Sequence, residues 1–140
     1  MAEGHSLYDT MGLVRIVSID PEGRASLEYE AKRDQCHSGG VVQGGFITGW
    51  IDAAMAHAAI AKNGEGIVPM TLEIKVSFFA PTRPGPVIAE AWVERHGKRT
   101  GFYEGHLKDA DGTILAKATS TILLADATRV VAASKAATRA

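Results

Sequence analysis

The chain has 140 residues, 46% of them apolar and 22% charged, with a formal net charge of −1. That length makes one domain with a real core, not two, and the composition is that of a globular protein, neither disordered nor coiled-coil. With charges balanced and no basic stripe, the electrostatic footprint of a nucleic-acid binder is missing.

The amino-terminal "MAEGHSLYDTMG" has no basic segment followed by an apolar run, so no signal peptide is expected; residues 1–12 read as a short arm or helix. "LVRIVSI" (13–19) and "ASLEYEA" (25–31) alternate and are joined by "PEGR", whose turn chemistry predicts a β-hairpin. "KRDQCHSGGVVQGG" is a loop with four glycines. From Gly45 to about Lys62 the pattern turns helical, and "NGEG" ends it. Over Phe46–Ala61 only Thr48, Gly49, Asp52 and His57 are not apolar, and no Lys, Arg or Glu offers a wet face. Such a helix is predicted to be buried. Asp52 inside it is then conspicuous, because taking a charge out of water is costly.

Beyond Ile67 strand follows strand. "VPMTLEIKVSFFA" places Met70, Leu72, Ile74, Val76 and Phe78 on one side and Thr71, Glu73, Lys75 and Ser77 on the other. "PTRPGP" breaks it; "VIAEAWVERH", "GFYEGHLKD" and "TILAKATSTILLA" follow, joined by "GKRT" and "ADG" turns. Long strands and short turns predict an antiparallel meander. The Ala-rich tail, residues 126–140, is expected to be helical or disordered. No stretch of about 18 apolar residues is present to span a membrane. Cys36, the single cysteine, forbids an intramolecular disulfide framework and fits a reducing, cytoplasmic location. Hairpin, helix and strands together predict an α+β fold: an antiparallel sheet of five to six strands around one long central helix.

Two features in this frame carry chemistry. Gly44 and Gly45 stand at the start of the helix, where the first backbone N–H groups lack intrahelical partners and the dipole is positive. Without side chains they let a carbonyl approach, as an oxyanion hole requires. Asp52, two turns on, has the chemistry of a general base or a nucleophile. A flexible loop for the glycines and a structurally satisfied carboxylate for Asp52 are the plainer alternatives. The five histidines and Cys36 have no metal-ligand spacing; His57 reads as a core or interface residue. No phosphate loop follows "GGVVQGG", no Gly-x-Ser-x-Gly elbow exists, and Cys36 has no paired base. Neither a metal nor a redox cofactor is expected.

The run His37, "SGGVV", Gln43-Gly44-Gly45, "FITGWI", Asp52 resembles the signature of the hotdog-fold acyl-CoA thioesterases, the 4-hydroxybenzoyl-CoA thioesterase superfamily, in its phenylacetate-pathway branch. "MTLEIKVSFFAPTRPG" and "HGKRTGFYEGHLKDADGTILAKATSTIL" extend the likeness over residues 13–125, so that 1–125 reads as a single hotdog domain. The resemblance implies hydrolysis of a small or medium acyl-CoA thioester, with Asp52 as base or nucleophile, the Gly44 amide on the carbonyl, and Thr71 positioning water. Gln43 stands where the family has His, keeping an amide that cannot titrate, and His37 stands where it has Asn. Gly45, Phe46, Arg83, Lys98, Arg99 and Thr100 are the candidate substrate contacts, the basic ones for the phosphates of coenzyme A, which is part of the substrate and not a cofactor; solvated turn charges are the plainer alternative. Phe46, Trp50, Phe78 and Phe79 are candidates to line the acyl pocket, with core packing as the alternative expected for most of them. The family pairs subunits edge to edge, which implies a homodimer with its site at the interface; whether two dimers associate into a tetramer stays open. The alternatives are a non-catalytic acyl-CoA-binding module and a hotdog enoyl-CoA hydratase or dehydratase.

Overall fold

A computed structural model of the chain describes residues 6–139, so the first five residues of the predicted amino-terminal arm lie outside the described residues. Helix α1 (Leu7–Met11) starts where Ser6 Oγ accepts the Asp9 N–H at 3.2 Å and stops at Gly12, whose φ of 82° is left-handed. Strands β1 (Leu13–Asp20) and β2 (Arg24–Ala31) form the expected hairpin. The glycine-rich loop is more ordered than its composition suggests. It holds a 3₁₀ turn (Arg33–Gln35) and a two-residue ladder between β3 (Cys36–His37) and β4 (Val41–Val42). Helix α2 then runs over Gly44–Asn63. Strands β5 (Ile67–Phe78), β6 (Gly85–His96), β7 (Thr100–Asp109) and β8 (Ile114–Asp126) follow, and α3 (Ala127–Arg139) leaves the sheet from the end of β8.

Six strands form one antiparallel sheet in the order β1-β2-β6-β7-β8-β5, packed on α2. The four-strand meander is therefore corrected: only β6, β7 and β8 meander. β5 pairs with β8 at one edge, and β6 crosses over to pair with β2. Three strand spacings, about 14 Å, separate β5 from β6. The proline-rich link after Phe78 is long enough to cross that distance, and an alternation pattern carries no information about which strand is the neighbour.

The wholly buried helix is also corrected. Ile47, Trp50, Ile51, Ala54, Met55, Ala58 and Ala59 are buried against the sheet, while the opposite face, including Asp52, Ala53, Ala56 and His57, is only half-buried. Alanine and glycine are small enough to leave that outward face open. On the inward face, Trp50 stacks on Tyr29 with ring centroids 5.7 Å apart, and its Nε1–H donates to the Met11 carbonyl at 2.8 Å, tying α1 to α2. Helix and sheet come close at Gly105, where a Cβ would stand 2.9 Å from Ile51 Cγ2 and 2.8 Å from the Glu90 carbonyl oxygen.

β5 departs from simple alternation. A bulge falls between Thr71 and Glu73, where Thr71 pairs with Ile122 but Glu73 already pairs with Thr121. The extra residue, Leu72, inverts the phase of everything before it. Thr71 consequently turns to α2 and shares a face with Ile74, Val76 and Phe78, whereas plain alternation would have put it on the opposite side. No helix among the described residues is long and apolar enough to cross a membrane.

Candidate active site

The amino terminus of α2 is built by Gln43, which takes the cap position with φ −66° and ψ 136°. Its Oε1 accepts the Gly45 N–H at 2.8 Å, and its carbonyl accepts the Phe46 N–H at 3.0 Å. Those two amides are thereby occupied. The Gly44 N–H has no acceptor among the described residues, and it stands at the positive end of a 20-residue helix. A cavity of about 450 Å³ opens beside it, lined by His37, Ile47, Phe78, Phe79 and Thr82 among others. The His37 Nδ1–H donates to the Ser38 carbonyl at 2.9 Å, which orients the imidazole at this rim. Phe78 lies across the glycine, so close that a Cβ on Gly44 would stand 3.1 Å from its ring.

Asp52 is half-buried, not sealed. One carboxylate oxygen, Oδ1, accepts from the Thr71 hydroxyl at 2.6 Å, the short distance of a charge-assisted bond. Oδ2 has no hydrogen-bond partner among the described residues. It is the β5 bulge that lets Thr71 reach the helix, and nothing in the alternation pattern signals it. Asp52 also lines a groove of about 370 Å³ between α1 and α2. Tyr29 forms part of that groove; burial, with a smaller effect from Tyr8, pushes its phenol up to about 12, so it stays protonated at neutral pH.

Gly44 and Asp52 do not meet within one chain. Eight residues of helix separate them, a rise of about 12 Å. The basic residues are also apart. Arg83 donates to the Gly39 carbonyl at 3.3 Å beside the glycine-rich loop. Lys98, Arg99 and Thr100 stand at the other end of β6, a strand of 12 residues and so roughly 36 Å away. The aromatic residues divide too: Trp50 is fully buried core, Phe46 packs against it at 6.5 Å, and Phe78 and Phe79 are exposed at the cavity beside Gly44. Among the described residues no group of His, Cys, Asp and Glu is arranged to hold a metal ion.

The sequence profile described as "Thioesterase superfamily" matches residues 39–116, more than half of the chain. A protein of Saccharolobus solfataricus, named there as a candidate esterase, is 35% identical over 105 residues, 75% of this chain and 74% of its own length. The chain belongs to the thioesterase superfamily. Among solved structures, a phenylacetic acid degradation-related protein and candidate thioesterase from Ralstonia eutropha JMP134 superposes with a TM-score of 0.79 at 29% identity, covering 88% of this chain and 92% of that one. The PaaI protein of the Escherichia coli phenylacetic acid degradation operon superposes with a TM-score of 0.78 at 22% identity, covering 87% and 86%. The hotdog architecture expected from the sequence is thus the observed one. The region matched to the thioesterase superfamily contains the open Gly44 amide, the Asp52–Thr71 pair and the cavity beside Phe78.

Proposed function

We propose that the protein hydrolyses a small or medium acyl-CoA thioester to the free acid and CoA. The observation that carries this reading is Asp52: a carboxylate open to a groove, held through one oxygen by Thr71 and free at the other. Oδ2 takes a proton from water as its oxygen adds to the thioester carbonyl carbon. Negative charge then gathers on the carbonyl oxygen, where the Gly44 N–H and the helix dipole stabilise it. Collapse breaks the C–S bond, and the proton held by Asp52 passes to the departing CoA thiolate. Direct attack by Asp52 is separable from base catalysis, since a single turnover in ¹⁸O-water would then label the enzyme's carboxylate.

Because Gly44 and Asp52 are too far apart in one chain, the reaction uses two copies. The outer edge of β5 has no partner strand among the described residues, with Met70, Leu72, Phe78 and Phe79 between 43% and 58% exposed, and such edges are ordinarily covered. Antiparallel pairing of β5 with itself about a twofold axis near Ile74 and Lys75 would set Phe78 opposite the partner's Thr71. Gly44, under Phe78, then faces the carboxylate that Thr71 holds. Both residues lie on the helix side of the sheet only because of the bulge. The same operation brings Arg83 of one copy toward the Lys98–Thr100 turn of the other, at the end where CoA phosphates would need cations.

The deciding experiment screens purified protein against acyl-CoAs with a free-thiol readout, beside Asp52→Asn. Thiol release by the wild type and its loss in the variant support the reading. Binding of acyl-CoA without release across the panel replaces it with a carrier module, and hydration of an enoyl-CoA without thiol release replaces it with a hydratase.

A further inference from the structure

The groove lined by Asp52 follows the outward face of α2. Gly49, Ala53, Ala56 and Ile60 recur at three- and four-residue spacing along its floor, and Tyr8 and Met11 of α1 form the facing wall. The wall is anchored twice, by Trp50 Nε1–H on the Met11 carbonyl at 2.8 Å and by the Glu30 N–H on the Gly12 carbonyl at 2.9 Å. Gly49 lets it come close: a Cβ there would stand 2.6 Å from Met11 Cε. At the Ile60 end, the rings of Tyr8 and His57 meet with centroids 6.0 Å apart, and His57 is held by its Nδ1–H on the Ala53 carbonyl at 2.8 Å.

The groove has about 370 Å³, well over twice the roughly 150 Å³ of an engineered apolar cavity that takes up benzene. Its lining contains no Lys or Arg, so the phosphates of CoA would find no partner in it. Backbone, methyl and ring surfaces dominate, and the carboxylate sits at the side. We infer that this groove binds the acyl group: an apolar chain of medium length or a single ring lies along Ala53 and Ala56, between Met11, which closes the Gly49 end, and the Tyr8–His57 pair, which closes the other. Ala56 and Met11 are then specificity-determining residues. The inference rests on the thioesterase reading for what happens at the carbonyl, while the apolar site itself is tested apart from turnover.

The test measures calorimetric binding of octanoyl-CoA and of CoA to the full chain carrying Asp52→Asn, alone and with Ala56→Phe or Met11→Ala. In the otherwise wild-type groove octanoyl-CoA binds at least about tenfold tighter than CoA, from burial of its methylenes. Ala56→Phe fills the floor and removes that advantage. Met11→Ala uncovers Gly49, lengthens the groove at that end and moves the preference from octanoyl-CoA toward decanoyl-CoA by about threefold or more. With Asp52 intact, the kcat/KM ratio of octanoyl- to acetyl-CoA follows the same order. Equal affinity for octanoyl-CoA and CoA, or ratios unmoved by both substitutions at unchanged thermal stability, overturns the inference. If Ala56→Phe does not fold, the Met11→Ala shift decides alone, and its absence overturns the inference. Acyl preference without thiol release keeps the groove and removes the thioesterase reading; thiol release indifferent to both substitutions does the reverse.

Discussion

At the scale of single residues, the Thr71 hydroxyl donates to one oxygen of Asp52 and leaves the other without a partner among the described residues. A hydroxyl at 2.6 Å restrains the carboxylate's rotation, and in the proposed mechanism the other oxygen is the base. Replacing Asp52 by Asn keeps size and removes basicity, so thiol release is expected to fall by about 10²–10⁴-fold. Thr71→Val removes only the hydroxyl and is expected to lower kcat about tenfold with little change in KM, while Thr71→Ser restores it; steady-state kinetics on the three variants checks this. Gly44 permits a cleaner substitution. Gln43 already has the extended backbone that precedes proline, and Gly44 is the first helical residue, where proline is well tolerated. Gly44→Pro therefore deletes the amide donor and keeps the helix; because any Cβ there presses on Phe78, Gly44→Ala is the reference, and kcat of Gly44→Pro is expected to fall about 10²–10³-fold below it at near-native circular dichroism. The Gln43 cap was not legible as such in the sequence. An N-cap preference favours Ser, Thr, Asp and Asn, and only the folded loop shows its amide occupying Gly45.

At the scale of elements, the seat of α2 on the sheet depends on absent side chains. Gly105 lies where backbone and Ile51 leave no room for a methyl group. Gly105→Ala is expected to cost about 1–3 kcal/mol by overpacking, read as a lower midpoint in chemical denaturation. The outer face of the sheet carries a polar cluster. Glu90 accepts from His106 at 2.8 Å and from Lys108 at 3.2 Å, across the β6–β7 pair, with Ser26 of β2 at 3.5 Å. Partial burial alone would raise the Glu90 carboxyl, but the hydrogen bonds and charges of His106 and Lys108 outweigh it, and the net shift is downward from its usual 4.5. A carboxyl lowered on folding adds stability above its unfolded value and loses it as pH falls through the folded one. The wild type is thus expected to lose more melting temperature between about pH 5 and pH 3 than Glu90→Gln does. Because the cluster is partly solvated, the difference is small, at most about 1 kcal/mol.

At the scale of the whole molecule, the proposed mechanism requires assembly, because Gly44 and Asp52 stand about 12 Å apart along one helix. The protein is expected to be at least a dimer by light scattering, and a strict monomer with full activity would exclude the shared site. Mixing offers a sharper measurement. Asp52→Asn and Gly44→Pro homodimers are each expected to be nearly inactive, and unfolding and refolding them together should return activity. A mixed dimer carries both defects at one site and neither at the other. If both groups acted within one chain, no intact site would form and mixing would return nothing.

By itself the sequence determined the α+β class, the hairpin, the helix with its acid, the strands, and the glycines at the helix start. These are readable because periodicity, turn residues and composition act over a few neighbours. The tertiary structure decided the rest: which strands are neighbours, that one extra residue at Leu72 turns Thr71 toward Asp52, that only one face of α2 is buried, and that Arg83 and the Lys98–Thr100 turn stand at opposite ends of β6. Each of these depends on contacts between residues far apart in the chain, for which local pattern carries no signal.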